Sequence, residues 1–395
     1  MFDIIPIKGG LNNVEGFFSG GVGVGLKPEG KNDVAFIRTD EPALVGALFT
    51  SNKFQAAPIK HFKRYGETFL TNFVLINSKN ANAMTGIAGI NDIDEIFSSL
   101  PITLNVLNPV MSSTGVIGSR LNKTKITKAF ELFDFNGKNS DAAAQAIMTT
   151  DRFKKEICLK VDVGSGDSFH IAAIAKGAGM ICPALATMLC FITTDAKVPQ
   201  GEIISLLNEA ANESFNAISV DGDTSTNDTV MLISSGKSGV WNREAFREAL
   251  RFLTRELALL ILKDGEGSTK TVAFEVKNAV TSEDAKIAAK ALSNSLLVKT
   301  AIFGEDPNWG RIASTIGACG IVCDEEKLYI KYDDVLVYSP LQKEMSAEIE
   351  SAANRVMKQE SYKICCDLGM GDKSYTAYGC DLGHEYVNIN ADYRS

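Results

Sequence analysis

The stretch most informative about chemistry runs from Lys176-Gly177-Ala178-Gly179 through Ala184-Leu185-Ala186-Thr187-Met188-Leu189 to Phe191-Ile192-Thr193-Thr194-Asp195. A threonine amid apolar residues is ordinarily a strand residue whose hydroxyl bonds the backbone, and pattern alone favours that reading of Thr187. The reactive alternative is a latent N-terminal nucleophile. Attack of the Thr187 hydroxyl on the Ala186 carbonyl gives an N-to-O acyl shift, and hydrolysis of the ester then cuts the chain and frees an amine on Thr187. The small Ala186 side chain hinders that attack little. The new amine titrates close to neutral pH and can serve as general base for its own hydroxyl. No histidine is then required, in a chain whose three, His61, His170 and His384, lie far apart and outside any nucleophile motif.

Three other patterns invite chemistry and fail its spacing tests. The glycine run Gly16 to Gly25 lacks both the G-x-G-x-x-G fingerprint and a terminal Gly-Lys-Ser/Thr, which leaves turns or close backbone packing. Asp221-Gly222-Asp223-Thr224-Ser225-Thr226-Asn227-Asp228 alternates oxygens like a calcium loop, but Thr226 stands where glycine is needed and Leu232 where a bidentate glutamate is needed. It reads as a turn between helix and strand, polar enough to lie beside a site. The nearest approach to a zinc motif is Cys319 and Cys323 with Cys365 and Cys366, a weak match, so no metal is expected.

The elements that must position these residues read as mixed α and β. Apolar runs at 34–37, 47–50, 73–77, 169–175 and 188–192 predict strands, and Asp141 before good helix formers predicts a capped helix at 141–147. Helical spacing recurs over 201–218 and 242–263. Beyond about residue 278, a capping box at Thr281-Ser282-Glu283-Asp284 opens a helix over 283–296. Strands at 328–337, 361–367 and 373–380 then surround a helix at 342–358. The expected class is α+β, layered sheets and helices with a smaller α+β C-terminal lobe.

At 395 residues with formal net charge -8, the chain is long enough for two or three domains and offers no basic face for nucleic acid or an anionic membrane. The start Met1-Phe2-Asp3-Ile4-Ile5-Pro6 lacks the pattern of a secretory signal, and no apolar run is long enough to span a bilayer, so the cytoplasm is the expected compartment.

Several segments together resemble one family. Ala186-Thr187-Met188-Leu189 followed by Phe191-Ile192-Thr193-Thr194-Asp195-Ala196 resembles the self-cleavage motif of the ornithine acetyltransferase family, also called glutamate N-acetyltransferase, of arginine biosynthesis. In agreement stand Ser112-Ser113-Thr114-Gly115-Val116-Ile117-Gly118, Thr149-Thr150-Asp151 and Val220 to Asp228. Asp264 to Lys270, Asp306-Pro307-Asn308-Trp309-Gly310-Arg311 and Asn390 to Ser395 follow in order along essentially the whole chain.

The resemblance implies a precursor that cuts itself between Ala186 and Thr187 into fragments 1–186 and 187–395, the second comprising a core segment 187–278 and the lobe 279–395. The fragments stay associated, as a heterotetramer of two cut protomers. Thr187 then takes acetyl from N-acetylornithine and passes it to glutamate, in a fold of the self-cleaving ornithine acetyltransferase and beta-aminopeptidase type. By the same resemblance the Thr114 hydroxyl and Gly115 N–H form the oxyanion hole, and Thr150, Lys176, Thr187, Glu266, Asn390 and Ser395 contact substrate. Residue 395 is serine where many members end in threonine, which keeps the hydroxyl. No cofactor is implied, with acetyl-coenzyme A left open as an alternative co-substrate.

Two competing readings remain at this point. One is a self-cleaving amidase or aminopeptidase of the same architecture, in which water takes the acyl group; such relatives generally carry serine as nucleophile. The other is an uncleaved binding or scaffold protein that kept the fold without the chemistry.

Overall fold

Successive side chains of a strand point to opposite faces, so an unbroken apolar run such as Phe73-Val74-Leu75-Ile76 needs a core on each side. The computed structural model, which describes residues 2–182 and 188–391, supplies both. Val74 and Ile76 join Ala35, Ile37, Phe191 and Met231 in one buried cluster. Phe73 and Leu75 join Val34, Phe36, Met111 and Phe130 in another.

The strands in chain order are β1 (Asp3–Ile7), β2 (Phe17–Val22), β3 (Val34–Phe49), β4 (Thr68–Asn77), β5 (Val110–Ser113), β6 (Lys155–Gly164), β7 (Asp167–Lys176) and β8 (Leu189–Thr194). They continue with β9 (Ile218–Ser219), β10 (Thr229–Ser234), β11 (Thr271–Ala279), β12 (Tyr329–Tyr332), β13 (Val335–Tyr338), β14 (Ser361–Asp367) and β15 (Lys373–Cys380). The chain divides into two compact units, one holding the described residues of 1–177, 184–216 and 224–261, the other those of 178–183, 217–223 and 262–395.

In the first unit nine strands form one sheet in the order β1-β6-β7-β8-β10-β3-β4-β5, with β2 also paired to β3. β8 and β10 run parallel and start side by side, Leu189 opposite Thr229, and β7 ends antiparallel to β8 with Lys176 opposite Leu189. In the second unit the order is β13-β12-β14-β11-β15-β9, over a core of Phe274, Leu292, Ile330 and Ile364 among others. No helix among the described residues is long and apolar enough to cross a membrane.

The class is the expected α+β, and several element boundaries differ from expectation. The runs 34–37 and 47–50 belong to one strand, β3, whose pairing with β4 shifts register between Arg38 and Ala43, around Pro42. The helix expected at 141–147 is Ser140–Ile147, capped by the Asn139 side chain on the Ala142 N–H, so Asp141 is a first-turn residue. The helix expected at 201–218 ends at Glu213 and gives way to a 3₁₀ turn at Phe215–Ala217. The strand expected at 328–337 is the hairpin β12–β13, which turns at Asp333 with φ 48°. The helix expected at 342–358 is Ala347–Met357, capped by Ser346. Thr281 caps its helix as the pattern required, its hydroxyl accepting the Asp284 N–H.

The glycine run is packing. Gly21 lies in β2, where a Cβ would sit 2.2 Å from the Ala142 carbonyl oxygen and 3.0 Å from the Ala146 Cβ. The helix Ser140–Ile147 can rest on β2 only because that side chain is missing. Gly21→Val is therefore expected to destabilise the protein by about 1–3 kcal/mol, read as a lowered urea midpoint, because the helix must lift from the sheet.

Candidate active site

β5 runs parallel to β4 with Ser113 opposite Asn77, and the chain then turns through Thr114 and Gly115. The turn is held from below by side chains. The Ser113 hydroxyl donates to Asn77 Oδ1 at 2.6 Å, and Asn77 Nδ2 donates to the Asn80 carbonyl at 2.9 Å. Asn227 Nδ2 donates to both the Ser113 and Ala81 carbonyls, at 2.8 and 2.6 Å. The Thr114 N–H is bonded to the Asn77 carbonyl and the Val116 N–H to the Lys79 carbonyl, at 3.0 and 3.1 Å. Gly115 has φ +132°, and a Cβ there would lie 2.1 Å from the Lys79 carbonyl carbon. Only glycine fits, so a threonine hydroxyl and a glycine amide are presented side by side on a rigid turn.

Lys176 ends β7, and its ammonium lies 3.4 Å from the Thr114 hydroxyl with almost no solvent exposure. Beside it the Asp151 side chain has no exposed surface. Asp151 Oδ1 accepts from Lys155 Nζ and from the Gly177 N–H, each at 2.7 Å, while Oδ2 accepts from the Thr149 N–H at 2.9 Å. Burial alone would raise this carboxyl, but Lys176, Lys155 and the Thr149 N–H outweigh it and hold Asp151 down to about 2. Thr150 lies half-buried inside the same loop. The arrangement therefore fixes Thr149 to Asp151 against the end of β7.

Ala186 and Thr187 lie outside the described residues, as does Ser395. Met188, next after Thr187, is described: its N–H donates to Asp228 Oδ1 at 3.0 Å and its carbonyl accepts the Thr229 N–H at 3.1 Å. Asp228 is fully buried, and its Oδ2 has no hydrogen-bond partner among the described residues. Burial pushes its carboxyl well above the usual range, and the Met188 N–H, Thr50, Lys176 and Ser225 oppose that rise without reversing it.

Glu266 and Asn390 come together within the second unit. Asn390, in the helix His384–Ala391, donates from Nδ2 to Glu266 Oε2 at 2.8 Å, and the Glu266 N–H is bonded to the Ala178 carbonyl at 2.8 Å. Asp221 spends its oxygens on the Met180 and Ile181 N–H groups, at 2.6 and 2.9 Å, with the Tyr386 hydroxyl donating at 3.3 Å. That is a loop clamp, which accounts for part of the polarity that suggested a calcium loop.

The profile of the ArgJ family matches residues 19–395. The chain belongs to the ArgJ family. It is 58% identical to the arginine biosynthesis bifunctional protein ArgJ of Wolinella succinogenes over 100% of both chains. It is 41% identical to the glutamate N-acetyltransferase of Methanothermobacter thermautotrophicus over 98% of each. Among solved structures, the arginine biosynthesis bifunctional protein ArgJ of Bacillus halodurans is similar at 37% identity and TM-score 0.47, covering 50% of this chain and 96% of that one.

Four residues of this ArgJ-family site escaped the sequence reading: Asp151, Lys155, Asn227 and Asp228. Asp151 stood inside the quoted Thr149-Thr150-Asp151 motif without a role, and Asn227 and Asp228 closed the polar loop read as a turn. Asp151→Asn is expected to cost about 3–5 kcal/mol at neutral pH, because it takes from the buried Lys155 ammonium the carboxylate 2.7 Å away. The folded Asp151 titrates below its unfolded value, so its stabilisation is whole above about pH 4 and fades as pH falls toward 2. The gap between wild-type and Asp151→Asn urea midpoints should close over that same acid window.

Proposed function

We propose that this chain is a cytoplasmic, self-cleaving glutamate N-acetyltransferase of arginine biosynthesis that carries acetyl from N2-acetyl-L-ornithine to L-glutamate on Thr187. The observation that carries the reading is the rigid Thr114–Gly115 turn with the Lys176 ammonium 3.4 Å from the threonine hydroxyl. A relative at 41% identity named glutamate N-acetyltransferase supports glutamate as the acetyl acceptor, and one at 58% named for arginine biosynthesis supports the pathway.

The chemistry proceeds in two halves. After the bond between Ala186 and Thr187 is cut into 1–186 and 187–395, the free Thr187 amine takes the proton of its own hydroxyl, and the oxygen attacks the acetyl carbonyl of N-acetylornithine. The Thr114 hydroxyl and Gly115 N–H receive the tetrahedral oxygen as its charge develops. The C–N bond breaks, ornithine leaves with the proton held by the amine, and an acetyl ester remains on Thr187. The amine of glutamate then attacks that ester through the corresponding tetrahedral intermediate; the C–O bond to Thr187 breaks, N-acetylglutamate leaves, and the proton lost by the amine returns to the threonine hydroxyl. Lys176 is placed to meet a substrate carboxylate, with Thr150 on the neighbouring loop. Glu266 and Asn390 keep the roles of substrate contacts, as does Ser395, and Glu266 is the group suited to an ammonium. Nucleophile, base and oxyanion donors all come from the chain, so no resident cofactor is needed and acetyl-coenzyme A enters only as a second acetyl donor. The working assembly is two of each fragment, with 187–278 completing the catalytic core and 279–395 forming the lobe.

Intact mass and product analysis test this together. The wild type should give two fragments meeting at Ala186/Thr187 and form N-acetylglutamate faster than free acetate when glutamate is present; an excess of acetate would point instead to an amidase. Thr187→Ala should remain one soluble chain without transfer, and acetyl movement by that variant would overturn the mechanism. Thr114→Ala should slow transfer by about 10²–10³-fold.

A further inference from the structure

An ammonium has three N–H donors, and one that holds three carbonyls has none left for a substrate. Lys27, half-buried in the loop after β2, is spent in that way. Its Nζ donates to the carbonyls of Asn32, Gln145 and Ala146 at 2.7, 3.1 and 3.0 Å. Gln145 and Ala146 lie in the last turn of the helix Ser140–Ile147, where carbonyls lack helical partners and a cation is favoured. Lys27 is itself held, because the fully buried Asp33 side chain accepts the N–H groups of Val24, Leu26 and Lys27 at 2.9, 2.6 and 3.0 Å.

This clamp reaches two parts of the site. The Asp33 carbonyl accepts the Ser78 N–H at 3.0 Å, and the carbonyl of the next residue, Lys79, accepts the Val116 N–H just past the Thr114–Gly115 turn. On the other side, only Ile147 and Met148 separate Ala146 from Thr149, whose N–H is bonded to Asp151. Thr150 is therefore fixed from both directions. Before it stands the helix end held by Lys27, and after it stand the bonds of Asp151 to Lys155 and Gly177.

We propose that Lys27 is a positioning residue of acetyl transfer, setting where the loop at 148–151 presents Thr150 relative to the Thr114–Gly115 turn without touching substrate itself. This rests on the reading of Thr150 as a substrate contact. Charge is part of the hold. Burial brings the Lys27 ammonium down to about 8, with Asp33 and Asp151 opposing that fall and Lys176 and Lys79 adding to it. Below that pH all three bonds and the attraction to the helix end are present. Above it the charge is lost, and one donor becomes a lone pair facing a carbonyl oxygen. The loop then loosens, and substrate binding weakens as pH rises through that value.

The test is Lys27→Met, which keeps the aliphatic stem, beside Lys27→Arg, Thr150→Ala and wild type, each as the cut protein in steady-state transfer from N-acetylornithine to glutamate. Lys27→Met should raise KM for N-acetylornithine about tenfold while kcat changes less than about twofold. The wild-type KM should climb between about pH 7 and 9, where the substrate's own amine, close to that of lysine at about 10.4, does not titrate. Lys27→Arg, whose guanidinium stays charged, should match wild type at about pH 7 and show no climb above it. That comparison decides the matter if Lys27→Met does not fold. A merely structural lysine would lower the melting temperature of Lys27→Met and leave KM alone. That result, a flat wild-type KM, or a climb shared by Lys27→Arg overturns the proposal. Thr150→Ala with the wild-type KM removes the contact reading beneath it, and a wild type that transfers no acetyl removes the proposed function.

Discussion

In the first unit the loop at 149–151 and the end of β7 are arranged around a carboxylate that has no contact with water. An ion in that place costs several kcal/mol unless its oxygens are satisfied, and Asp151 is satisfied by Lys155 and by the N–H groups of Thr149 and Gly177. Those partners come from the loop before β6, the start of β6 and the residue after β7. The charge therefore joins pieces of chain that the sheet alone does not lock. Lys176 is drawn into the same field, and it is the lysine that lies against the Thr114 hydroxyl. Neutralising Asp151 would change the field at the lysine, and with it the electrostatics of the Thr114–Gly115 turn.

A second constraint comes from the loop that ends at Asp228. Consecutive side chains of an extended segment leave the backbone on opposite sides. Asn227 and Asp228 use that alternation to reach different strands: Asn227 grips the Ser113 carbonyl just before Thr114, and Asp228 grips the Met188 N–H just after Thr187. Two adjacent residues thus set the spacing between the Thr114–Gly115 turn and the chain that enters β8. A hydrogen-bonded pair of this kind, buried and without alternatives, is stiffer than an apolar contact because each lost bond leaves a polar atom stranded.

Local chemistry made part of this visible in the residues themselves. Thr281 had to cap a helix because its hydroxyl stands three residues before an acidic side chain, and the doubly buried strand at 73–76 announced itself by an unbroken apolar run. The Thr114–Gly115 turn and Lys176 were legible through resemblance, and the structure adds why glycine is obligatory there. Boundaries were harder. β3 passes through Pro42 because a bulge removes the need for that N–H, and a bulge depends on the partner strand, which a linear pattern does not contain. Asn139 displaced Asp141 as cap for a similar reason, since either residue type can cap and the geometry of the entering chain decides. Asp151 and Asp228 were unreadable because deciding partners lie far along the chain, Gly177 26 residues from Asp151 and Met188 40 residues from Asp228.

The two buried aspartates are pushed in opposite directions by their environments. Lysine charges hold Asp151 to about 2, so it is a fixed anion at any working pH. Burial with too little compensating charge pushes the Asp228 carboxyl well above the usual range. When two carboxyls of one site are pushed apart in this way, the low one serves electrostatics and the high one can move a proton.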